Sequence, residues 1–429
     1  MANLPLQAAP KVVTTVGETF ADGSALELVR SASSGRLALL YCSAGEKYIA
    51  AQIEHCRCLY RPPDFDEAMA RVIRLPQGVK SYGSIGKLLH RIREIFELHA
   101  GLPQPESALM TAWCASSWFA DCLSSPPTLL ISGPDMGCAI RLFRLLHCLC
   151  RRPVLLGDIS RSALLALAPL GTTLLINQPD LSPGVRALWS TSNYRGFHVF
   201  GSGKVRAVSS SKAVFLGMSN SREDEGVHLA LPPTLRGLPP LDERQLEAIS
   251  RELQPQLLMF RVRNLDRVRK FSPSNLGSTP VGDEAARNLA ASVLGDLETV
   301  ELIAPLLRRL EQDKIARRGC DVHSALIEVM WTPSHADREL GISRLAELAN
   351  ALLRSRDEIL EYSAAEIGWK LKCFGFRHHR NGPGMILQFS HDNRLLLHQL
   401  AARLSLNLRR VPNCTLCSPQ EAADAKRLV

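Results

Sequence analysis

Two glycines follow an apolar run in segment 128–146, which reads TLLISGPDMGCAIRLFRLL. Gly133 and Gly137, with Pro134 between them, stand where backbone N–H groups at the start of a helix can hold a phosphate. A loop that turns over a nucleotide also places a lysine and a hydroxyl directly after its second glycine. Here Cys138 and an alanine occupy those two positions, and the loop is one or two residues short. The segment therefore predicts the layout of a phosphate-binding loop without its cation or its metal ligand.

Two later apolar runs end in amide side chains. The run GTTLLINQP ends in Asn177 and Gln178, where a nucleotide hydrolase carries the acidic Walker B pair that orients Mg²⁺ and water. Amides form hydrogen bonds, but they bring no negative charge and cannot act as a general base at neutral pH. The run SKAVFLGMSN ends in Asn220, which has the position and chemistry of a sensor asparagine. Parallel strands share a carboxyl edge, so we expect Gly133, Asn177 and Asn220 to lie together.

These substitutions predict a core without catalytic residues. Phosphoryl transfer depends on charge and metal positioning, and each group that supplies them is replaced. No cofactor is expected. ATP binding without hydrolysis stays open, because the amides of Gly133 and Gly137 can still face a phosphate.

A second glycine motif, FGSGKVR, contains Lys204 in a GSGK sequence. In the residues that follow, β-branched side chains alternate with other side chains, and apolar residues do not recur at helical spacing. This lysine would therefore not lie at a helix N-terminus. We predict a hairpin with its tip at residues 201–203.

Composition restricts the class of protein. The chain has 429 residues, of which 46% are hydrophobic and 22% charged, and a formal charge of +9. No apolar run approaches the roughly 20 residues that span a bilayer, and no signal peptide is visible, so we expect a cytoplasmic protein without a membrane partner. The 12 cysteines are scattered, which fits a reducing compartment. A modest basic excess is compatible with nucleic acid without establishing it.

Two cysteine pairs invite a metal interpretation. Cys56 and Cys58 stand beside His55, and Cys414 and Cys417 form a lone CxxC near the C-terminus. Each pair supplies at best half of a tetrahedral site. We therefore predict no metal site and interpret both pairs as ordinary thiols, with structural zinc at Cys414 and Cys417 as the alternative.

The pattern of elements predicts an α/β protein with a mainly parallel sheet, since apolar runs alternate with amphipathic helices through its centre. The helices before that sheet place Trp113, Trp118 and Phe119 at core spacing. The segment after it fits a helical lid or collar, and a generic helical linker equally well. The predicted parts are a small β-rich module at 1–80, the α/β core with its preceding helices at 81–240, the helical region at 241–340, a winged-helix module at 341–417 and a tail at 418–429.

The winged-helix prediction rests on two amphipathic helices followed by RHHRNGPGMILQFS, which is a basic strand, a Gly-Pro-Gly turn and an apolar strand. In such a module the second helix can enter the major groove of DNA while the wing contacts the backbone. A winged helix used only for protein contacts, or a plain surface hairpin, remains the alternative. The candidate DNA-binding residues are Lys370, Lys372, Arg377, His378, His379 and Arg380.

The order of these parts resembles the P-loop helicase-type ATPases of phage and plasmid primase–helicase proteins and, more closely, related bacterial proteins whose ATPase signature has eroded. The resemblance implies a ring-forming or DNA-associated ATPase, in which the Walker A lysine falls on Cys138, the Walker B acids on Asn177 and Gln178, and the sensor on Asn220. An arginine finger would be displaced to Arg222. The leading hypothesis is a non-catalytic, DNA-associated protein, with a protein partner or a homo-oligomer as a further possibility. A divergent ATPase acting on DNA and a protein-interaction scaffold are the alternatives.

Overall fold

The computed structural model describes residues 10–417 apart from 66, 178–184, 186–187, 189–191, 193–194, 202–203, 208, 218–225, 232–236, 272–283, 319–320, 337, 357–360, 383, 405, 407 and 413. The chain divides into two compact units, Met1–Leu310 and Glu311–Val429. Within the part of the chain described, no helix combines the length and apolarity that crossing a bilayer requires.

The first unit begins with two small sheets. One has the strand order β1-β7-β6, and the other is antiparallel with the order β2-β3-β4-β5. Cys56 and Arg57 form the two-residue turn between β6 and β7, with φ of 50° and 62°. Positive φ at both positions is the signature of a type I′ hairpin. The strands are β1 Lys11–Thr14, β2 Gly17–Thr19, β3 Ala25–Arg30, β4 Leu37–Cys42, β5 Lys47–Ala50, β6 Ile53–His55 and β7 Cys58–Arg61.

Three helices follow, α1 Glu67–Val72, α2 Ile85–Ala100 and α3 Gln104–Ser117. The aromatic residues predicted to lie in the core are buried, with Trp113 0%, Trp118 1% and Phe119 0% exposed. Each indole N–H is paired with a backbone carbonyl, that of Pro127 and that of Leu149, at 2.8 Å. Large apolar area is thus buried without an unpaired donor.

A five-stranded sheet forms the centre of the first unit, and its strand order is β14-β8-β13-β10-β9. Every neighbouring pair is parallel, which confirms the predicted α/β class with a mainly parallel sheet. In the sheet, β13 lies between β8, which precedes the phosphate-like loop, and β10, which precedes Asn177. The elements are β8 Thr128–Ser132, α4 Met136–Leu149, β9 Pro153–Leu156, α5 Arg161–Leu167, β10 Thr173–Ile176, β13 Lys212–Phe215 and β14 Val227–Ala230.

The predicted hairpin around the GSGK sequence is present. Strands β11 His198–Gly201 and β12 Lys204–Ala207 are antiparallel, and Gly201 pairs with Lys204. Lys204 therefore begins a strand and does not begin a helix.

Three helices follow, α6 Glu243–Arg269, α7 Glu284–Ser292 and α8 Leu297–Arg318, and the boundary between the two units after Leu310 falls within α8. Asp242 begins α6 with a capping box, in which its carboxylate accepts from the N–H of Gln245 and the Gln245 side chain accepts from the N–H of Asp242. Reciprocal capping of this kind satisfies two donors that the first helical turn leaves unpaired.

A buried charge cluster joins the N-terminal strands to the rest of this unit. Glu27, on β3, is 3% exposed and accepts from Arg151 at 2.9 Å, from Arg152 at 2.8 Å and from Arg261 of α6 at 2.5 Å. Burial alone would raise the pKa of Glu27, but the three guanidinium groups lower it to about 2. Glu27 is therefore ionised wherever the protein is folded near neutral pH.

The second unit contains α9 Val322–Ala336, β15 Glu339–Gly341, α10 Ile342–Arg354, α11 Ala364–Phe374, β16 His378–Asn381, β17 Gly384–Gln388 and α12 His391–Arg403. Its strands form a small antiparallel sheet in the order β15-β17-β16. Leu345, Ile367, Leu371 and Leu387 are fully buried in a core of its own. The chain order is therefore helix, strand, helix, helix and a β-hairpin, closed by a last helix.

Candidate functional site

The loop between β8 and α4 consists of three residues, Gly133, Pro134 and Asp135. Asp135 is the N-cap of α4, and its Oδ1 accepts a hydrogen bond from the N–H of Gly137 at 2.7 Å. Its Oδ2 lies 3.5 Å from the Cys138 thiol, which donates to it. A carboxylate of the chain itself thus occupies the helix N-terminus, where a bound phosphate would otherwise lie.

The amide of the first glycine is also engaged. The N–H of Gly133 donates to the carbonyl of Gly217 at 3.0 Å. A Cβ atom on Gly133 would lie 3.0 Å from the Cβ of Leu231, which follows β14. Gly133 is therefore required by close packing at the end of β14. Neither of the two glycines offers a free amide at this loop.

The group at the lysine position is a neutral thiol. Cys138 is buried. Burial, together with the hydrogen bond to Asp135 and its charge, raises the pKa of Cys138 to about 11. It brings no positive charge to the end of the helix.

Asn177 follows β10 at the carboxyl edge of the sheet, the same edge as Gly133, because β8 and β10 run parallel within one sheet. Its N–H donates to the carbonyl of Leu156 at 2.8 Å. Its Oδ1 is buried and has no hydrogen-bond partner among the residues that the structure describes. Gln178 and Asn220 lie outside the described residues, and so does Arg222.

The candidate nucleic-acid face of the second unit begins with α11. Ser363 caps this helix, and Glu366 accepts from both the N–H and the hydroxyl of Ser363, so the only acid on the helix is held at its first turn. Trp369, one helical turn further, is 67% exposed. Lys372 is exposed as well, whereas Lys370 is half-buried with its ammonium 5.2 Å from the centre of the Tyr362 ring. The sequence pattern predicted both lysines as DNA contacts, but it did not predict the exposed tryptophan beside them.

The basic hairpin adjoins this helix in the chain. Asn393 fixes its base, since its side chain accepts from the N–H of Arg377 at 3.1 Å and donates to the carbonyl of Arg377 at 2.9 Å. Cross-strand partners share a face, and His378 is paired with the buried Leu387. Because successive side chains of a strand point to opposite faces, His378 and Arg380 lie on one face of the hairpin and His379 lies on the other. The four basic residues are therefore divided between the two faces of the hairpin, with Arg377, His379 and Arg380 exposed.

The second unit also brings together residues that the sequence kept apart. The thiols of Cys414 and Cys417 lie beside His335 of α9 and His398 of α12. Burial and the neighbouring His335 lower the pKa of His398 to about 4, so this imidazole is neutral near pH 7. By contrast, the pair Cys56 and Cys58 lies at the type I′ turn. The only sequence signal for the first group was the CxxC, because the two histidines come from distant helices.

No protein-family model and no curated protein sequence matches the chain. Among solved structures, the chain is similar to the apo C-terminal region of NrS-1, with 7% identity, coverage of 84% of this chain and 95% of that chain, and a TM-score of 0.36. It is also similar to a full-length MCM homologue from Methanopyrus kandleri, with 14% identity, coverage of 66% and 75%, and a TM-score of 0.32. Both TM-scores are below 0.5, so neither likeness assigns a fold or a function to this chain. The more specific family resemblance drawn from the sequence stays a prediction.

Proposed function

We propose that this chain is a DNA-associated protein whose second unit is a winged helix that contacts DNA and whose α/β core is a P-loop-type fold that does not turn over nucleotide. The succession α9, β15, α10, α11 and the β16–β17 hairpin supports the winged-helix assignment. In that arrangement α11 is the recognition helix and the hairpin is the wing.

The observation that carries the DNA proposal is the exposed side chain of Trp369 beside two lysines on α11. An indole that is 67% exposed leaves a large flat ring available to a partner. A flat aromatic ring beside cationic groups suits a nucleic acid, because the ring stacks on a base or contacts its apolar edge while the ammonium groups contact phosphates. Lys372 lies three residues from Trp369 on the same helix, and the exposed Arg377, His379 and Arg380 extend the positive charge to the hairpin.

The proposal that the core lacks turnover rests on the loop after β8. Three residues cannot form the wide loop that wraps a triphosphate, and Asp135 places a negative charge on the amide that would hold a phosphate. Cys138 replaces the lysine, and Asn177 replaces the first Walker B acid. The missing groups act on separate parts of phosphoryl transfer, so no single substitution elsewhere restores all of them.

A protein partner is the second candidate for the same face. Met385 of the hairpin is 41% exposed in addition to Trp369, and two exposed apolar side chains near basic groups also fit a protein surface. The two candidates differ in their dependence on salt. DNA binding weakens steeply as salt rises, because binding releases counterions, and the slope reflects how many phosphates the protein neutralises.

The test is a titration of labelled single-stranded and double-stranded oligonucleotides at several salt concentrations. Charge reversal of Arg377 and Arg380 together should weaken binding to all sequences alike and flatten the salt slope by about one unit for each phosphate that is no longer neutralised. The matched control reverses Arg354 and Arg403, which are exposed at the ends of α10 and α12. Unchanged affinity and slope in the first variant, or equal decreases in both, would favour the protein-partner candidate.

A further inference from the structure

Four potential metal ligands converge in the second unit. The side chains of His335, His398, Cys414 and Cys417 are half-buried, and their ligand atoms all lie within 4.8 Å of one another. The Nε2 atoms of the two histidines are 3.2 Å apart. The Cys414 sulfur is 3.7 Å from Nε2 of His398, and the Cys417 sulfur is 3.6 Å from Nε2 of His335.

These separations match the edges of one tetrahedron. In a tetrahedral zinc site the Zn–N bond is about 2.0–2.1 Å and the Zn–S bond about 2.3 Å, which sets N···N edges at roughly 3.3 Å and N···S edges at roughly 3.6 Å. Ordinary packing of two imidazoles and two thiols has no reason to satisfy all of these edges together. Three of the six edges are matched in this way, and the remaining three are at most 4.8 Å long, so the separations fit four ligands around one metal ion.

The fold delivers the ligands from three separate segments. His335 lies in the last turn of α9, and His398 lies in the middle of α12. Cys414 and Cys417 flank a tight turn, in which the N–H of Cys417 donates to the carbonyl of Cys414 at 3.1 Å, so both thiols face the same side. Trp331 positions the segment that carries them, because its indole N–H donates to the carbonyl of Arg409 at 2.9 Å.

The second ring nitrogen of His335 is already bound to the backbone. Its Nδ1 lies 2.7 Å from the carbonyl of Trp331, the residue one turn earlier, and a carbonyl can only accept. The proton is therefore on Nδ1, and the lone pair of Nε2 faces His398 and Cys417. A histidine that donates its other N–H to a carbonyl is the usual form of a metal-ligating histidine.

We propose that His335, His398, Cys414 and Cys417 bind one Zn²⁺ ion in a closed, structural site. Two thiols and two imidazoles in a tetrahedral arrangement select zinc over the harder divalent ions. Four protein ligands leave no position for a substrate, so the site is structural. Binding releases the thiol protons and forms four zinc–ligand bonds, with no change in oxidation state. The ion would fasten residues 409–417 to α9 and α12.

The experiment measures metal in the full-length protein, purified under reducing conditions with zinc in the growth medium. About one zinc per chain is expected. After removal of zinc with a chelator, Co²⁺ should restore one equivalent and give the intense visible bands and sulfur-to-cobalt charge transfer of a tetrahedral site with two thiolates. A zinc content near zero, with no cobalt spectrum in protein whose thiols are reduced, would overturn the proposal.

Variants assign the ligands. Replacing Cys414 and Cys417 with serine should abolish bound zinc and the cobalt charge-transfer band. The matched control replaces Cys56 and Cys58 with serine, and it should keep about one zinc. Because a ligand variant can lose metal simply by unfolding, His398→Cys is added, which replaces an imidazole ligand with a third thiolate and should retain cobalt with a spectrum shifted toward three sulfurs. Zinc that persists in the Cys414/Cys417 variant would contradict the site.

Discussion

The carboxylate of Asp135 accepts a hydrogen bond from the N–H of Gly137 at 2.7 Å, at the first turn of α4. The positive end of the α4 dipole is thereby neutralised from within the chain. In a nucleotide-binding loop the same amide would face a phosphate. The interaction replaces an intermolecular contact with an intramolecular cap that stabilises the helix whether or not a ligand is present.

The purified protein should not hydrolyse ATP in the presence of Mg²⁺, and Asp135→Asn should not gain activity. Asparagine and aspartate are similarly good caps, so this variant removes the charge while it keeps the hydrogen bond. Asp135→Ala, which removes the cap, should lower the free energy of unfolding by about 1 kcal/mol. A phosphate-release assay and urea denaturation measure the two effects. Turnover that disappears on substitution of Gly137 or Asn177 would contradict the assignment of a non-catalytic core.

Glu27→Gln should destabilise the first unit by about 3–5 kcal/mol, because it leaves Arg151, Arg152 and Arg261 buried around a neutral amide. Chemical denaturation measures the decrease. Glu46→Gln is the control, since Glu46 is exposed in the turn between β4 and β5 and its replacement should leave the unfolding midpoint almost unchanged. A decrease no larger than that of the control would mean that the cluster is solvated.

The same residue predicts a dependence on pH. The pKa of Glu27 is lowered from 4.5 to about 2 in the folded protein. Its contribution to stability is therefore fully present above pH 4.5 and is lost as the pH falls to about 2. Unfolding midpoints of the wild type should decline through this window more steeply than those of Glu27→Gln. Parallel curves for the two proteins would contradict the assignment.

Trp369→Ala should weaken DNA binding by about 1–3 kcal/mol, which is roughly 5- to 150-fold, if the indole stacks on a base. Trp369→Phe should retain part of that affinity. The free energy of unfolding should change little in either variant, because most of the side chain is exposed. Fluorescence anisotropy titrations with single-stranded and with double-stranded oligonucleotides measure the affinity. If Trp369→Ala left the affinity for DNA unchanged and weakened only the binding of a protein partner, the surface around Trp369 would be assigned to protein interaction.

Lys372→Gln should reduce the salt slope of DNA binding by about one unit, as expected for one phosphate contact. Lys370→Gln should have the smaller effect, because the Lys370 ammonium is held 5.2 Å from the centre of the Tyr362 ring. Both substitutions remove one positive charge from the same helix, so the two variants differ only in the position of the lysine. Equal changes in slope would show that Lys370 leaves the ring to reach DNA.

Local patterns predicted much of the fold. Apolar runs of strand length, alternating with amphipathic helices, indicated the parallel sheet, and the GSGK sequence indicated a hairpin rather than a phosphate loop. Both predictions were confirmed, because the spacing of apolar residues along a segment is visible in the sequence and decides whether that segment forms a helix or a strand. The cap at Asp135 was not predicted, because an aspartate between two glycines can equally be an ordinary loop residue, and only the structure shows that it is the N-cap of α4.

Long-range relationships could not be predicted in this way. His335 and Cys417 are 82 residues apart in the chain, and neither histidine has a neighbour in sequence that marks it as a ligand. The exposure of Trp369 was also missed, since aromatic residues in helices usually face the core, as Trp113 does. Tertiary packing decides which of two similar helical tryptophans becomes buried, and period alone does not carry that information.

The position of Arg261 has a practical consequence for dividing the chain into fragments. This arginine on α6 reaches back over 234 residues to a carboxylate on the third strand. A domain boundary near residue 80, as the composition predicts, would separate the two residues. The buried guanidinium groups of Arg151, Arg152 and Arg261 would then lose the Glu27 carboxylate. Shortened versions of the protein should keep residues 1–310 together, since the amino-terminal strands and the α/β core share a single interior.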